Sequence, residues 1–229
     1  MGKYLVLLFF SFLIFSNPIS ALETKNKKTH KMNRKHQIGI RLGGWINGGE
    51  SPPALLTDTF NNPLMKTSIK DGSFYFEGYY AYNLLPYTFM EFSLGIVNRG
   101  SVTIYDIYGT DIGNLLIYPI LLQVKLYPLL SSDSKLQPFV GFGGGLYYGR
   151  RNVQFTNNSY SFYSLNEDSK TDFNYTLSGG VDWCLNNSIA FDMQLKYMPI
   201  NFSKSLVTVN DFKAVSVTVG IKYLYATKK

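Results

Sequence analysis

One cysteine, two histidines and a shortage of charge exclude more about this chain than any motif in it establishes. Cys184 stands alone, so no internal disulfide can form, and the fold has to be held by hydrogen bonds and packing. Both histidines, His30 and His36, lie before the patterned part of the sequence begins. That leaves no imidazole there for general-base or metal chemistry. Charged residues make up 16% of the chain, against roughly 25% in soluble domains. A surface so poor in charge has an apolar solvent to face or is largely buried. After Ala21 no apolar run approaches the ~18 residues that a membrane-crossing helix needs.

What is abundant is aromatic: 18 Tyr and 17 Phe in 229 residues. Mean hydropathy is close to zero, as expected when one apolar and one polar face average out. The start reads as an export signal over 1–21. Lys3 supplies the positive end, residues 4–15 are almost all apolar, Asn17-Pro18 breaks the run, and Ser20-Ala21 offers small residues for cleavage. No cysteine follows the signal, which argues against a lipid-modified N-terminus. Between Glu23 and His36 lie Lys25, Lys27, Lys28, Lys31, Arg34 and Lys35. Such a block, 22–36, is expected to be a solvated, disordered periplasmic segment. It lacks the aromatic interleaving of a nucleic-acid binder, so no nucleic-acid partner is expected.

From Gln37 the periodicity is two, not 3.6. Eight segments carry it: 37–46, 72–83, 88–98, 112–127, 135–149, 170–183, 188–200 and 212–225. They suit strands tilted across a bilayer, which need about 9 to 11 residues in hydrocarbon. The connections alternate between roughly 25, 13, 20 and 11 residues and roughly 4, 7 and 4, so long links gather at one end and tight turns at the other. One domain is expected over 37–225, followed by a short tail, 226–229.

The last segment shows the two faces clearly. Val215, Val217, Val219, Ile221 and Tyr223 share one side, and Ser216, Thr218, Gly220 and Lys222 the other. Periodicity alone does not say which face points outward, and a soluble lipocalin-like barrel would put the apolar face inside. Three features favour the inside-out membrane barrel: polar faces too sparsely charged for water, the asymmetric connections, and aromatics near segment ends. Trp45, Tyr82, Tyr87, Tyr118, Tyr127, Tyr148, Tyr197, Tyr223 and Tyr225 are expected to form girdles at the lipid–water interfaces. Open sheet edges are untenable in lipid, so the eighth strand is expected to pair with the first.

Three stretches resemble the small outer-membrane barrels related to OmpA, OmpX and OmpW. They are the glycine-spaced Gln137-Pro138-Phe139-Val140-Gly141-Phe142-Gly143-Gly144-Gly145-Leu146, the opening Ile38-Gly39-Ile40-Arg41-Leu42-Gly43-Gly44-Trp45, and the ending at Tyr225. The resemblance implies an all-β, eight-stranded, antiparallel up-and-down transmembrane barrel in a bacterial outer membrane. It also implies an assembly signal at Thr218, Gly220, Tyr223 and Tyr225, read by the barrel-assembly machinery. The family specifies architecture well and function poorly, since the same barrel hosts anchors, adhesins, narrow channels and lipid-modifying enzymes.

If the apolar faces meet lipid, the inward charges are Arg41, Glu77, Glu91, Lys125, Asp182, Asp192, Lys196 and Lys222. Eight strands leave a lumen only wide enough for side chains to fill, and buried charges survive there when paired. An ion-pair network filling the lumen is therefore expected. It is either a static polar core or, as the resemblance implies, a set of pairs that switch and open a narrow pore. With no histidine in the barrel an enzyme is not expected, nor is any cofactor. The acids Glu167, Asp168 and Asp172 lie beside Lys170 and read as a solvated loop rather than a metal site. The loops remain. Phe60 in the first and Arg150, Arg151, Phe155, Tyr160, Phe162 and Tyr163 in the third suit contacts with a host or surface protein or glycan. The expected role is membrane structure or surface interaction, with an OmpW-like conduit for small or hydrophobic solutes as the alternative.

Overall fold

A strand whose side chains alternate between apolar and polar separates the two faces cleanly only if the sheet closes on itself. The computed structural model describes residues 35–49, 54–57, 63–104, 110–129, 135–153, 168–206 and 209–225. In chain order the strands are β1 (His36–Asn47), β2 (Ala54–Thr57), β3 (Pro63–Ile69), β4 (Gly72–Leu85), β5 (Thr88–Ile104), β6 (Thr110–Leu126), β7 (Leu136–Val153), β8 (Asp168–Cys184), β9 (Ile189–Met198), β10 (Asn201–Leu206), β11 (Val209–Asp211) and β12 (Ala214–Tyr225). Among the described residues there is no helix.

Eight of these make the barrel: β1, β4, β5, β6, β7, β8, β9 and β12, each antiparallel to the next. The last strand closes on the first in unbroken register, from His36 opposite Tyr225 to Asn47 opposite Ala214. Every barrel strand has a strand neighbour on each side, as backbone groups in hydrocarbon demand. The expected alternation holds on both sides of the wall. Leu122, Phe142 and Val219 point outward and are exposed, whereas Gln123, Gly141, Gly143, Thr218 and Lys222 point into the lumen.

Four differences from the sequence expectation have physical reasons. The first long connection is not free of strand. It holds the hairpin β2–β3, whose β3 pairs with β5 from Met65 opposite Ile104 to Ile69 opposite Gly100. The fourth holds the small hairpin β10–β11. β5, β6 and β7 also run well past the wall, with β5 and β6 still paired at Ile104 opposite Thr110. The connection between them shrinks to residues 105–109. Beyond the lipid-facing part these strands have no apolar alternation to signal them, so the sequence hides their ends. Finally, Trp45 and Tyr127 are not girdle aromatics. They lie 0% and 2% exposed inside the lumen, because strict alternation gives Trp45 the parity of Arg41 and Tyr127 that of Lys125.

The other girdle aromatics face outward or lie half-exposed. At the end carrying the tight turns, the ring of His36 stacks on Tyr225 with centroids 4.9 Å apart, and its Nδ1 lies 2.7 Å from the Tyr80 hydroxyl. His36 is thus the first residue of β1, although it was expected to belong to the disordered segment. The turn between β4 and β5 places Pro86 before Tyr87, whose φ of 69° is the left-handed value required at the third position of a type II turn. The expected signal 1–21, most of the basic segment, the tail 226–229, Phe60, Phe155, Tyr160, Phe162 and Tyr163 lie outside the described residues.

The wall makes a direct prediction. Leu122 sits outward on β6, so L122R should destabilise the barrel in bilayers by ~2–4 kcal/mol, as arginines near the midplane do. Urea titration after refolding into vesicles measures this. A change below ~0.5 kcal/mol would place Leu122 away from lipid.

Candidate functional site

Antiparallel register decides which inward charges meet. Arg41 stands opposite Glu77 on β4, and on its other side opposite Gly220 of β12, which in turn stands opposite Asp192 of β9. From that position the guanidinium reaches three carboxylates. Its Nη1 donates to Glu77 Oε1 at 2.6 Å, its Nη2 to Glu91 Oε2 at 2.8 Å, and its Nε to Asp192 Oδ2 at 2.5 Å. Lys125 Nζ also donates to Glu91 Oε2 at 2.6 Å, and Lys196 Nζ donates to Glu77. A separate pair joins Lys222 to Asp182, with Gln37 Oε1 3.1 Å from the same ammonium. The eight charges named from the sequence are therefore brought together as two groups, each cation on at least one acid. All eight are 3% exposed or less.

Space for the larger group comes from missing side chains. A Cβ on Gly39 would sit 2.7 Å from the Tyr79 ring, and one on Gly95 2.6 Å from the Tyr75 hydroxyl. Those two rings serve the network directly. Arg41 lies over the Tyr79 ring at 3.5 Å, and the Tyr75 hydroxyl donates to Glu77 Oε2 at 2.5 Å. A Cβ on Gly220 would stand 2.3 Å from Asp192 Oδ1. Part of the glycine spacing in these strands is thus room for a buried arginine and two tyrosines.

Above and below, the charged layer meets apolar side chains. Toward the end with the long connections Trp45, Tyr75, Val97, Leu115, Ile117 and Tyr147 fill the lumen together with Ile200, Phe202, Leu206 and Phe212. The last four come from the segment between β9 and β12, so the β10–β11 hairpin is seated over the mouth. Phe202 packs edge-on against Phe212 at 5.5 Å, and Ser203 donates through N and Oγ to Asp172 of β8 at 2.8 and 2.9 Å. At the turn end Ala81, Phe89, Tyr127 and Phe139 form a second apolar layer. The sequence did not signal the upper layer, because Trp45 read as an interface aromatic and the hairpin as loop.

Arg99 was also missed. It lies one residue past the expected end of its strand at 98 and has the parity of Glu91, so extending β5 by a single residue would have placed it inside. It is 0% exposed. Among the loop residues named from the sequence, Arg150 and Arg151 lie near the end of β7, the first half-buried and the second buried. Of the proposed assembly residues, Thr218 points inward and Tyr223 and Tyr225 outward, with Gly220 at the Arg41–Asp192 contact. Among the described residues no group of three metal-ligating side chains comes together. Each lumen acid already faces a cation, so what the arrangement does chemically is fill and neutralise.

Comparison with protein-family models and with curated protein sequences finds no match. Solved structures do match. The outer membrane protein OprG from Pseudomonas aeruginosa is 18% identical, with 86% of this chain and 99% of that one covered and a TM-score of 0.56. Neisserial surface protein A is 11% identical over 83% of this chain and 97% of that one, again at 0.56. The outer membrane protein AlkL, solved in DMPC bilayers, is 17% identical over 90% and 98%, at 0.50. The shared feature is the fold, that of the small eight-stranded outer-membrane barrels. With a closed ladder and an apolar outer wall, the chain has the fold of a barrel of that type.

The network predicts an asymmetric response to mutation. R41A leaves Asp192 without a cation and takes one of two cations from Glu77 and from Glu91, so it should cost ~3–5 kcal/mol, as breaking a buried pair does. K222M alone should cost more than K222M combined with D182N, which removes both members. Equilibrium unfolding in bilayers measures both, and a neutral R41A would show that the ion pairs do not hold the lumen.

Proposed function

We propose that this barrel is a non-enzymatic, filled element of the outer membrane whose contacts are made by what stands above the wall. The observation that carries the reading is the stacking inside. A charged layer with balanced cations and acids is closed above and below by apolar layers, and the β10–β11 hairpin sits over the upper one. A solute on the axis would have to separate buried ion pairs, each worth several kcal/mol to break. Outside the wall, β5, β6 and β7 continue as a sheet, extended at its edge by β3. Such a platform carries the loops that we take to meet a host or surface protein or glycan. Arg150 and Arg151 at its margin and Phe60, Phe155, Tyr160, Phe162 and Tyr163 in the connections are the proposed contacts.

On this reading the chain is exported by the segment 1–21, the basic stretch that follows lies in the periplasm, and Thr218, Gly220, Tyr223 and Tyr225 serve insertion by the assembly machinery. A second reading, a conduit for small or hydrophobic solutes, is favoured by one observation. The wall carries a groove of about 450 Å³ where β4 begins, lined by Phe74, Phe76, Ile96 and Leu116.

Conductance of the refolded chain in planar bilayers at neutral pH separates the two. The filled barrel should give no steps beyond the lipid background. Steady, reproducible steps whose size changes when the lumen charges Lys196 and Lys125 are removed (K196M, K125M) would overturn it and make the conduit the working description.

A further inference from the structure

The groove marks a break in the ladder. β4 and β5 pair from Tyr75 opposite Val97 down to their turn, and beyond Gly100 β5 pairs with β3 instead. Between the two ladders residues 72–74 have no partners on β5. The hand-over is held by the Lys70 amide, which donates to the Arg99 carbonyl at 2.8 Å. It is also held by the Gly100 amide, which donates to Asn98 Oδ1 at 3.1 Å. On the outside the break is lined by apolar Phe74, Phe76, Ile96 and Leu116 with polar Ser73 and Asn98 among them.

On the inside, at the same break, lies Arg99. Its Nε, Nη1 and Nη2 are buried and have no hydrogen-bond partner among the described residues. Its guanidinium carbon is 5.6 Å from the centre of the Trp45 ring. Trp45 Nε1 and Ser73 Oγ are likewise buried without partners, and these two residues face each other across β1 and β4. Arg and Trp side chains donate and do not accept, and a hydroxyl can donate. Arg99 thus lies beside Trp45, and Trp45 opposite Ser73, at the break in the ladder, with more donors than acceptors among the three. The lower network is balanced, so Arg99 is a charge of its own, and a buried cation is strongly disfavoured without an anion.

We propose that Arg99, Trp45 and Ser73 form a carboxylate site for a single-chain amphiphile of fatty-acid type, which enters from the lipid through the break between β4 and β5. The planar guanidinium presents two parallel donors to a carboxylate, Trp45 and Ser73 add one each, and the chain lies along Phe74, Phe76 and Ile96. The site goes beyond the filled-barrel reading and does not depend on it, because the ligand enters through the wall above the charged layer and never crosses the lumen.

The test uses the full chain carrying W183F, refolded in a non-ionic detergent, so that Trp45 is the only indole. Decanoate should change its fluorescence saturably. Decanol, with a similar chain and no charge, and acetate, with the charge and no chain, should bind at least ten-fold more weakly. R99M should abolish the decanoate response while the protein keeps its folded, heat-modifiable band on a gel. Should R99M not refold, R99K retains the charge without the planar fork and should weaken decanoate several-fold. Equal responses to decanol and decanoate, an unchanged response in R99M or R99K, or no saturable response at all would overturn the site. Tighter binding of dodecyl phosphate or inorganic phosphate than of decanoate would overturn the carboxylate assignment. Conductance is untouched by each of these outcomes, so failure here is distinct from failure of the filled-barrel reading.

Discussion

Hydrocarbon offers a backbone amide nothing to bond to, and the rest of this structure follows from that. Each N–H and C=O in the wall has to be answered by a neighbouring strand, so β12 must return to β1, as it does over the whole length of β1. With eight strands the closed wall leaves a lumen that side chains alone can fill. Which side chains fill it is then a question of register. A slip of one residue exchanges the two faces of a strand. In β1 such a slip would turn Arg41 into lipid and Ile40 and Leu42 inward, and in β4 it would expose Glu77. Charges at the centre of the lumen therefore penalise misregister far more than an apolar filling would.

That argument matters because stability alone gives a weak reason for the network. Replacing a buried ion pair by well-packed apolar groups is often neutral or stabilising. What this barrel shows instead is commitment by several strands to one arginine. Gly39 and Gly95 leave room for Tyr79 and Tyr75, Gly220 leaves room for the Arg41–Asp192 contact, and the acids come from β4, β5 and β9. A strand placed one position out of register would break its own part of the arrangement while leaving the other partners charged and unpaired. The network's contribution is then the penalty it puts on misregister rather than stability. Gly220 illustrates the overlap, since it belongs both to the stretch that resembles an assembly signal and to the packing around Arg41.

The sequence made the lower two thirds of the barrel legible for a simple reason. Where lipid is outside and side chains fill the inside, alternation is enforced residue by residue, so parity alone finds Glu77, Glu91, Lys125 and Asp192. Parity would also have found Trp45 and Tyr127, had the expectation of interface aromatics not overridden it. The upper third was not legible because the physical demand there is different. β5, β6 and β7 continue beyond the apolar wall, where neither face has to be apolar, and β2, β3, β10 and β11 are too short to show a period. Arg99 falls on that boundary. Ending its strand at Asn98 made it look like the first residue of a loop.

Arg41 and Arg99 make the boundary concrete, since the same side chain meets opposite circumstances a few residues apart along the barrel axis. Arg41 lies where every strand has two neighbours, and the fixed register brings three carboxylates to it from different strands. Arg99 lies where β5 leaves β4 for β3. There the neighbouring inward residues are Ser73 and Trp45, and no described carboxylate is in register with it. A continuous ladder supplies partners to buried charges because it repeats. A break in the ladder removes the supply, and the apolar groove lies on the outer face at the same place. An unneutralised cation and the groove outside it therefore arise from one feature of the topology, in the part of the barrel where closure no longer dictates the sequence.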